Sequence, residues 1–339
     1  MYPFNFYIVL AVLFLCVLNI GQGFAQDNLF SAVKWTAPYP PTVFTKQITL
    51  QEDMAIGSPD VILLTPTQEN PYPYWMAYAQ GGTDTKGRLG MARSMDGVSW
   101  KRVKDQGTIL EPSASGWDSH FLDTPCILKH GDVWYMWYFG SVSNDTVGGA
   151  IGLAISKDGI HFSKIKNNPV LVRGDDGEWD ALWVESPSVA YDGRQFVMYY
   201  TGVGADWLPQ IGRATSPDGM TWTKSSSNPV YGRENLDEWD SFAAAVPDVI
   251  FKDNHWELYF AGISIENVRD TFKKPQIGFA ISTDGERNWQ RLKAPIVTSE
   301  LSGNQPNGPY NPSVLWDDQK EEYLMWYETG YGFGMAHGK

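Results

Sequence analysis

The chain repeats a pattern of about 60 residues five times, and this repeat constrains the fold more than any other feature. Each copy begins with a proline in an apolar run, followed by a β-rich segment with several aromatic residues. A fixed period of this length, with several short strands per unit, is typical of a β-propeller. The sequence therefore predicts an all-β fold, a five-bladed β-propeller with four-stranded antiparallel blades. The five prolines are Pro59, Pro125, Pro187, Pro247 and Pro312.

The fifth copy stops at Lys339, before a fourth strand, and the N-terminal segment offers a replacement. The residues around Trp35 resemble those around Trp222, which belong to the outer strand of an earlier copy. A propeller whose last blade takes its outer strand from the N-terminus leaves no long unpaired sheet edge. We therefore expect the N-terminal strand to close the ring, and residues 26–339 to form a single domain.

The first 25 residues have the features of an export signal. Residues 1–25 contain no charged side chain, residues 6–20 are almost wholly apolar, and Gly23 and Ala25 provide small residues before a cleavage point. This pattern predicts a signal peptide over residues 1–25, with an uncleaved anchor as the alternative. The expected location of the mature chain is periplasmic or secreted.

Composition narrows the class of partner. The net charge of −13 disfavours nucleic acid and anionic membrane surfaces, which need basic stripes, so no membrane contact beyond the export signal is expected. The 15 tryptophans instead favour a carbohydrate, because indole rings match the apolar faces of sugars. Trp183 and Trp207 lie outside the repeated frame and are predicted to contact sugar, with Arg93 and Arg213 as candidate cationic contacts. The chain is expected to act as a monomer.

Two sets of aspartates recur with the repeat and are interpreted as structural. The Ser-x-Asp-Gly motif occurs in four copies, where glycine takes a positive φ and aspartate accepts backbone hydrogen bonds in a turn. A Trp-Asp pair lies at the same spacing before three of the blade prolines. Equivalent copies cannot all lie at one active site. The two sets are Asp96, Asp158, Asp218 and Asp284, and Asp118, Asp180 and Asp240.

One repeat position changes its chemistry from copy to copy. It lies two residues before each blade proline, at the predicted start of the innermost strand, where the five blades meet at a central channel. Two neighbouring blades carry a carboxylate there, and burying such groups costs desolvation energy that an inert frame does not need. This position is the strongest functional signal in the chain. Its occupants are Gly57, Asp123, Glu185, Ala245 and Tyr310.

Here the chain resembles a known superfamily. The segments 122–125 and 184–187 are similar to the second- and third-blade carboxylate motifs of the furanosidase superfamily, which includes glycoside hydrolase families 43 and 32. The resemblance implies that Glu185 is the general acid and that Asp123 orients it and raises its pKa. It also implies a third carboxylate on blade one, as base or nucleophile. These roles predict a secreted glycoside hydrolase acting on plant or algal oligosaccharides or polysaccharides.

The chain departs from the family pattern on blade one. Gly57 stands near the place of the expected aspartate, and Asp53 is the preferred substitute, ahead of Asp60 and Asp84. Tyr310 and Asn311 lie in a segment similar to one that holds a central ion in family 43, with Asn311 in the position of the histidine. No metal and no cofactor is therefore predicted, and both residues are candidate substrate contacts. A glycan-binding propeller and a phosphorylase like those of family 130 remain alternatives.

Overall fold

The computed structural model describes residues 35–36, 56–81, 84–104, 107–143, 146–232, 239–265, 275–303, 308–329 and 332–339. Within them the chain forms five antiparallel sheets, and each sheet is one blade. The innermost strands of the blades contact one another in cyclic order around a central channel. The predicted five-bladed β-propeller is confirmed. No helix in the described ranges is long and apolar enough to cross a bilayer.

The strands are numbered in chain order, beginning with β1 (Trp35–Thr36). Blade one contains β2 (Ile56–Leu63), β3 (Tyr74–Gly81), β4 (Gly87–Ser94), β5 (Trp100–Arg102) and the additional β6 (Thr108–Leu110). Blade two contains β7 (Phe121–His130), β8 (Val133–Ser141), β9 (Ala150–Ser156) and β10 (Ser163–Lys164). Blade three contains β11 (Trp183–Tyr191), β12 (Phe196–Val203), β13 (Gln210–Ser216) and β14 (Thr223–Lys224).

Blade four contains β15 (Ala243–Lys252), β16 (His255–Ile263), β17 (Gln276–Ser282) and β18 (Gln290–Arg291). Blade five contains β19 (Tyr310–Asp317), β20 (Glu322–Thr329) and β21 (Gly332–Gly338). Its outer position is occupied by β1, with Trp35 opposite Gly338 and Thr36 opposite His337. The predicted leader, residues 1–25, lies outside the described residues and stays a prediction.

The apolar core consists of layers between adjacent blades, because both faces of each sheet are covered by a neighbour. The aromatic runs of the second strands supply most of the bulk. Trp75, Trp137 and Trp326 are almost fully buried, and Trp222 packs at the edge of such a layer. The one free cysteine of the described residues, Cys126, is also buried, as predicted. Burial of this kind stabilises by about 25 cal/mol for each Å² of apolar surface removed from water.

The Ser-x-Asp-Gly aspartates are structural, as predicted. In blade two, Asp158 Oδ1 accepts hydrogen bonds from the backbone N–H groups of Ile160 and His161, both at 2.8 Å. The following Gly159 has a φ of 75°, a conformation that favours glycine. Asp96, Asp218 and Asp284 accept the equivalent pairs of bonds in the other blades.

The Trp-Asp pairs are structural too. Trp179 packs on Tyr200, and Asp180 accepts hydrogen bonds from the Tyr200 hydroxyl at 3.2 Å and from Lys224 Nζ at 2.6 Å. Blade two repeats this cluster around Asp118, and in blade four Asp240 pairs with Arg291. Each cluster ties the loop before the innermost strand to the outermost strand of the same blade.

A closed cycle of hydrogen bonds joins the five innermost strands. In each blade, the side chain of the residue after the proline accepts a hydrogen bond from the next blade. The donor is the backbone N–H of the residue two positions after the proline of that next blade. This cycle gives Cys126 an additional role, because its sulfur is an acceptor as well as a packing atom. The donor–acceptor pairs are Ile127 to Asp60, Val189 to Cys126, Val249 to Ser188, Val314 to Asp248 and Val61 to Ser313, at 2.6 to 3.2 Å.

Candidate active site

The five variable positions lie at one end of the channel, at the start of the innermost strands. In each blade the pairing with the second strand shifts register between this position and the residue after the proline. The residue before each proline has a positive φ between 40° and 52°, an uncommon conformation outside glycine. Because all five blades share it, this strain belongs to the frame and does not single out the two acidic blades. The five residues are Ser58, Thr124, Ser186, Val246 and Asn311.

A hydrogen-bonded chain links two acidic side chains at this end of the channel. The Ser58 hydroxyl donates to Asp123 Oδ1 at 2.8 Å, and the Ser58 backbone N–H donates to Glu328 Oε2 at 2.9 Å. Asn311 Nδ2 donates to Ser58 Oγ at 3.0 Å and to Glu328 Oε2 at 2.6 Å. One residue of blade one therefore bridges a carboxylate of blade two and a carboxylate of blade five.

Glu328 occupies the space beside Gly57. A Cβ atom at position 57 would lie 2.7 Å from Glu328 Oε2, closer than real contacts allow, and 3.0 Å from its Cδ. Gly57 does not have a positive φ, so its backbone does not require glycine. The absence of a side chain at position 57 is thus explained by the carboxylate that reaches into the same space from β20.

Burial dominates the electrostatics of the site. Burial raises the pKa of Glu185 to about 7 and that of Glu328 to about 7, and the charge of Asp123 adds to both shifts. Burial also raises the pKa of Asp123 itself, against the hydrogen bonds from Thr124 and Ser58. All three side chains keep partial exposure. Carboxyl groups of this kind can hold or release a proton near neutral pH.

The two tryptophans predicted at the site contact each other, and one of them acts on Glu185. Burial raises the pKa of Glu185, and Trp183 acts in the opposite direction, although its indole nitrogen forms no hydrogen bond of normal geometry with any acceptor among the described residues. Trp207 contacts Trp183 edge to face, with ring centroids 5.6 Å apart, and is half-buried. The φ of Trp207 is 60°, a strained conformation for a bulky residue.

Tyr310 lies among the acidic groups, as its predicted position requires. The charges of Glu185, Glu328 and Asp123 all raise its pKa, although burial is the larger cause. Tyr310 is also the direct cross-strand partner of Glu328. Asn311 Oδ1 is buried and has no hydrogen-bond partner among the described residues, whereas its amide nitrogen holds Glu328.

The structure does not bring the two predicted arginines to this site, which corrects the prediction. Arg93 pairs with Trp75 near the opposite end of its blade and stacks over Tyr72, 4.3 Å from the ring centroid. Arg213 is buried and forms an ion pair with Glu286 at 2.6 Å, in the Asp-Gly turn of the next blade. The repeat spacing predicted the blade to which each arginine belongs, but not the end of the strand at which its side chain lies.

The three aspartates predicted as candidates for a blade-one carboxylate lie in different places. Asp53 lies outside the described residues, so its role stays a prediction. Asp84 forms an exposed ion pair with Arg88 at 2.8 Å. Asp60 accepts the Ile127 N–H in the cycle of blade-joining bonds. Asp60 therefore lies on the other side of the proline from the candidate site, where it also lines the cavity at that end of the channel.

Sequence reasoning missed Glu328. The residues paired with the five variable positions on the second strands also change between blades, and only blade five carries a carboxylate there. Comparing these second-strand positions would have found it. They are Ala79, Phe139, Thr201, Ala261 and Glu328.

The described residues contain no group of three or more His, Cys, Asp or Glu side chains arranged to hold a metal ion. A cavity of about 610 Å³ lies on the other side of the prolines, lined by Asp60, Asp248 and Trp316 among others. The candidate site is therefore defined by its chemistry.

No protein-family model matches the chain. It is 28% identical over 242 residues to the uncharacterized protein Rv1502 of Mycobacterium tuberculosis (strain H37Rv), covering 67% of this chain and 75% of that protein.

Two solved structures share the architecture. The first is a thermostable family-43 glycoside hydrolase, at 17% identity and a TM-score of 0.63 over 86% of this chain and 90% of that chain. The second comes from glycoside hydrolase family 130. This family of mannoside phosphorylases is described as also containing glycoside hydrolases that target β-1,2 mannosidic linkages in Candida mannan. Its identity is 17% and its TM-score 0.66, over 94% of this chain and 96% of that chain. The fold of this chain is the five-bladed β-propeller found in several families of glycoside hydrolase.

Proposed function

We propose that this protein is an exported glycoside hydrolase that cleaves glycosidic bonds of plant or algal oligosaccharides or polysaccharides. The observation that carries the proposal is the pair Asp123 and Glu185, from adjacent blades, at one end of the channel. Burial, with the charge of Asp123 adding to it, raises the pKa of Glu185 to about 7, which keeps a large fraction of the acid protonated near neutral pH. A general acid needs this property to protonate a leaving oxygen.

In the proposed acid step, Glu185 donates its proton to the glycosidic oxygen while the bond from that oxygen to the anomeric carbon breaks. Asp123 stays close enough to disfavour ionisation of Glu185 before the step. Backbone and side-chain hydrogen bonds from Thr124 and Ser58 fix the Asp123 carboxylate, at 2.7 Å and 2.8 Å. Because the Asp123 carboxylate is held in place, its effect on the pKa of Glu185 is built into the folded structure.

The two solved structures support a carbohydrate substrate by analogy of fold, and the acidic pair gives that analogy a chemical basis. A pure binding protein has little use for an acid with a raised pKa beside a second carboxylate. The expected location outside the cytoplasm rests on the predicted leader at residues 1–25.

The Glu185→Gln variant tests the acid. Glutamine keeps the size of the side chain but has no acidic proton, so we expect kcat on phenyl glycosides to fall at least about 100-fold. Activity on 2,4-dinitrophenyl glycosides should fall much less, because that leaving group departs without protonation. A panel of aryl furanosides and pyranosides supplies the substrates. Equal losses with both leaving groups would remove Glu185 from the acid role.

Glu178→Gln is the matched control, since this exposed loop residue of the same blade undergoes the same change. Each assay is run with and without inorganic phosphate. Turnover that requires phosphate and yields a sugar phosphate would favour the phosphorylase. Glycan binding without turnover in either condition would favour the binding protein.

The Trp207→Ala variant tests the aromatic pair. Trp207 is half-buried against Trp183, which itself acts on Glu185, so its loss should raise KM about 10-fold with little change in kcat. Trp316, at the other end of the channel, is the control ring, and Trp316→Ala should leave KM unchanged. A fall in kcat at constant KM in Trp207→Ala would contradict a platform role.

A further inference from the structure

Building on the proposed function, we infer that Glu328 supplies the third carboxylate that blade one lacks and acts as the general base on the attacking water. The inference assigns a catalytic residue from the second strand of blade five. It accounts for the glycine at position 57 and for the polar groups around Glu328.

Glu328 occupies the space that a side chain at position 57 would need. Glu328 Oε2 lies 2.7 Å from the point where a Cβ of residue 57 would be, so an aspartate at position 57 would displace the Glu328 carboxylate from its observed position. The backbone of Gly57 does not itself require glycine, because its φ is not positive. The chain carries a carboxylate in this space, delivered from β20.

Glu328 is held in place through one of its two carboxylate oxygens. Its Oε2 atom accepts two hydrogen bonds, from the Ser58 backbone N–H and from Asn311 Nδ2. Its Oε1 atom accepts none from the described residues, and the side chain is partly exposed. One oxygen thus fixes the group while the other is available to a water molecule, which is the arrangement that a general base needs.

The three acids form one electrostatic group. Burial, with the charge of Asp123 adding to it, raises the pKa of Glu185 and of Glu328, and burial and the charges of all three acids raise the pKa of Tyr310. Ser58 joins Asp123 to Glu328, through its hydroxyl at 2.8 Å and its backbone N–H at 2.9 Å. A carboxylate that activates water directly, without a covalent intermediate, is typical of inverting glycosidases.

The proposed step balances without a co-reactant. Glu328 Oε1 takes a proton from water while the water oxygen forms a bond to the anomeric carbon. The bond from that carbon to the glycosidic oxygen breaks, and its electron pair receives the proton of Glu185. The products are a free sugar of inverted configuration and an alcohol, and both glutamates regain their starting protonation by exchange with solvent.

The Glu328→Gln variant tests the base. We expect kcat to fall at least about 100-fold with phenyl and dinitrophenyl glycosides alike, because water activation is needed whatever the leaving group. This uniform loss contrasts with the leaving-group dependence expected of Glu185→Gln. Glu322→Gln, on the same strand but at its other end, is the control and should keep wild-type kcat. Proton NMR of the first product should show inversion.

A carboxylate exchange separates catalysis from folding. In Gly57→Asp combined with Glu328→Ala, the carboxylate moves from β20 to the innermost strand of blade one, and activity should recover at least about 10-fold over Glu328→Ala. Gly57→Asp alone should be less active than this double variant, because two carboxylates then compete for one space. Melting temperatures of all variants show that each one folds.

The outcomes distinguish the two proposals. Wild-type hydrolysis with Glu328→Gln within threefold of the wild type, or with retention of configuration, would overturn the role of Glu328 and leave the hydrolase standing. A wild type that cleaves no member of the panel would overturn the hydrolase, and the inferred base with it.

Discussion

The Asp180→Ala variant should lose about 3 kcal/mol of unfolding free energy, measured by urea denaturation at 25 °C. The Asp180 side chain is almost fully buried and accepts a 2.6 Å bond from Lys224 Nζ and a 3.2 Å bond from the Tyr200 hydroxyl. Removing one partner of a buried ion pair leaves the other charge without compensation, which costs about 3–5 kcal/mol. The partial exposure of Lys224 puts the expected loss at the lower end of this range.

Asp176→Ala is the control for this prediction. Asp176 lies four residues earlier in the same loop and forms a 3.5 Å pair with Arg173, but its side chain is fully exposed. An exposed pair of this kind contributes little, so no measurable change is expected. Equal midpoints for Asp180→Ala and the wild type would show that the Trp-Asp clusters do not stabilise the blades.

Raising the pH from 5 to 8 should lower the unfolding free energy, and Asp248 should be a main cause. Burial raises the pKa of Asp248 from 3.8 to about 7, so the folded state retains a proton that the unfolded chain has lost. Stability therefore falls as the pH rises through the folded pKa. The whole shift of about three units corresponds to at most about 4 kcal/mol, of which at most about 3 kcal/mol falls between pH 5 and pH 8.

The Asp248→Asn variant separates this effect from the rest of the chain. Burial, together with the charge of Asp248, also raises the pKa of Asp60, and both groups lie in the cycle of blade-joining bonds. The asparagine can still accept the Val314 N–H but cannot ionise, so its stability should change less between pH 5 and pH 8. Aspartates with lowered pKa values, such as Asp218, change the unfolding free energy only at more acidic pH, so they do not contribute to the difference between pH 5 and pH 8. Parallel pH profiles of the variant and the wild type would contradict the assignment.

Much of the architecture could be predicted because each repeat carries its own local information. The proline, the aromatic run and the Asp-Gly turn specify the strands and turns of one blade through backbone geometry and period-2 burial. Five copies then specify the number of blades. The same reasoning separated structural aspartates such as Asp158 from the variable position of Asp123 and Glu185, since a residue required by every blade cannot mark one site.

The arginines show where such reasoning ended. Arg93 and Arg213 occur near predicted inner strands, but the channel end on which a side chain lies depends on its distance along the strand. Their partners, Tyr72 and Glu286, are contacts of the folded ring that no local pattern encodes.

Taken by itself, the sequence determined the number of blades, the frame of repeated turns, and the two carboxylates at the start of adjacent innermost strands. Only the tertiary structure decided which other groups join them. Glu328 is 271 residues from Gly57 in the chain, and the two become neighbours only because blade five closes on blade one. A repeat pattern records what the blades have in common, whereas an acidic site at the axis depends on how unlike side chains from different blades share one space.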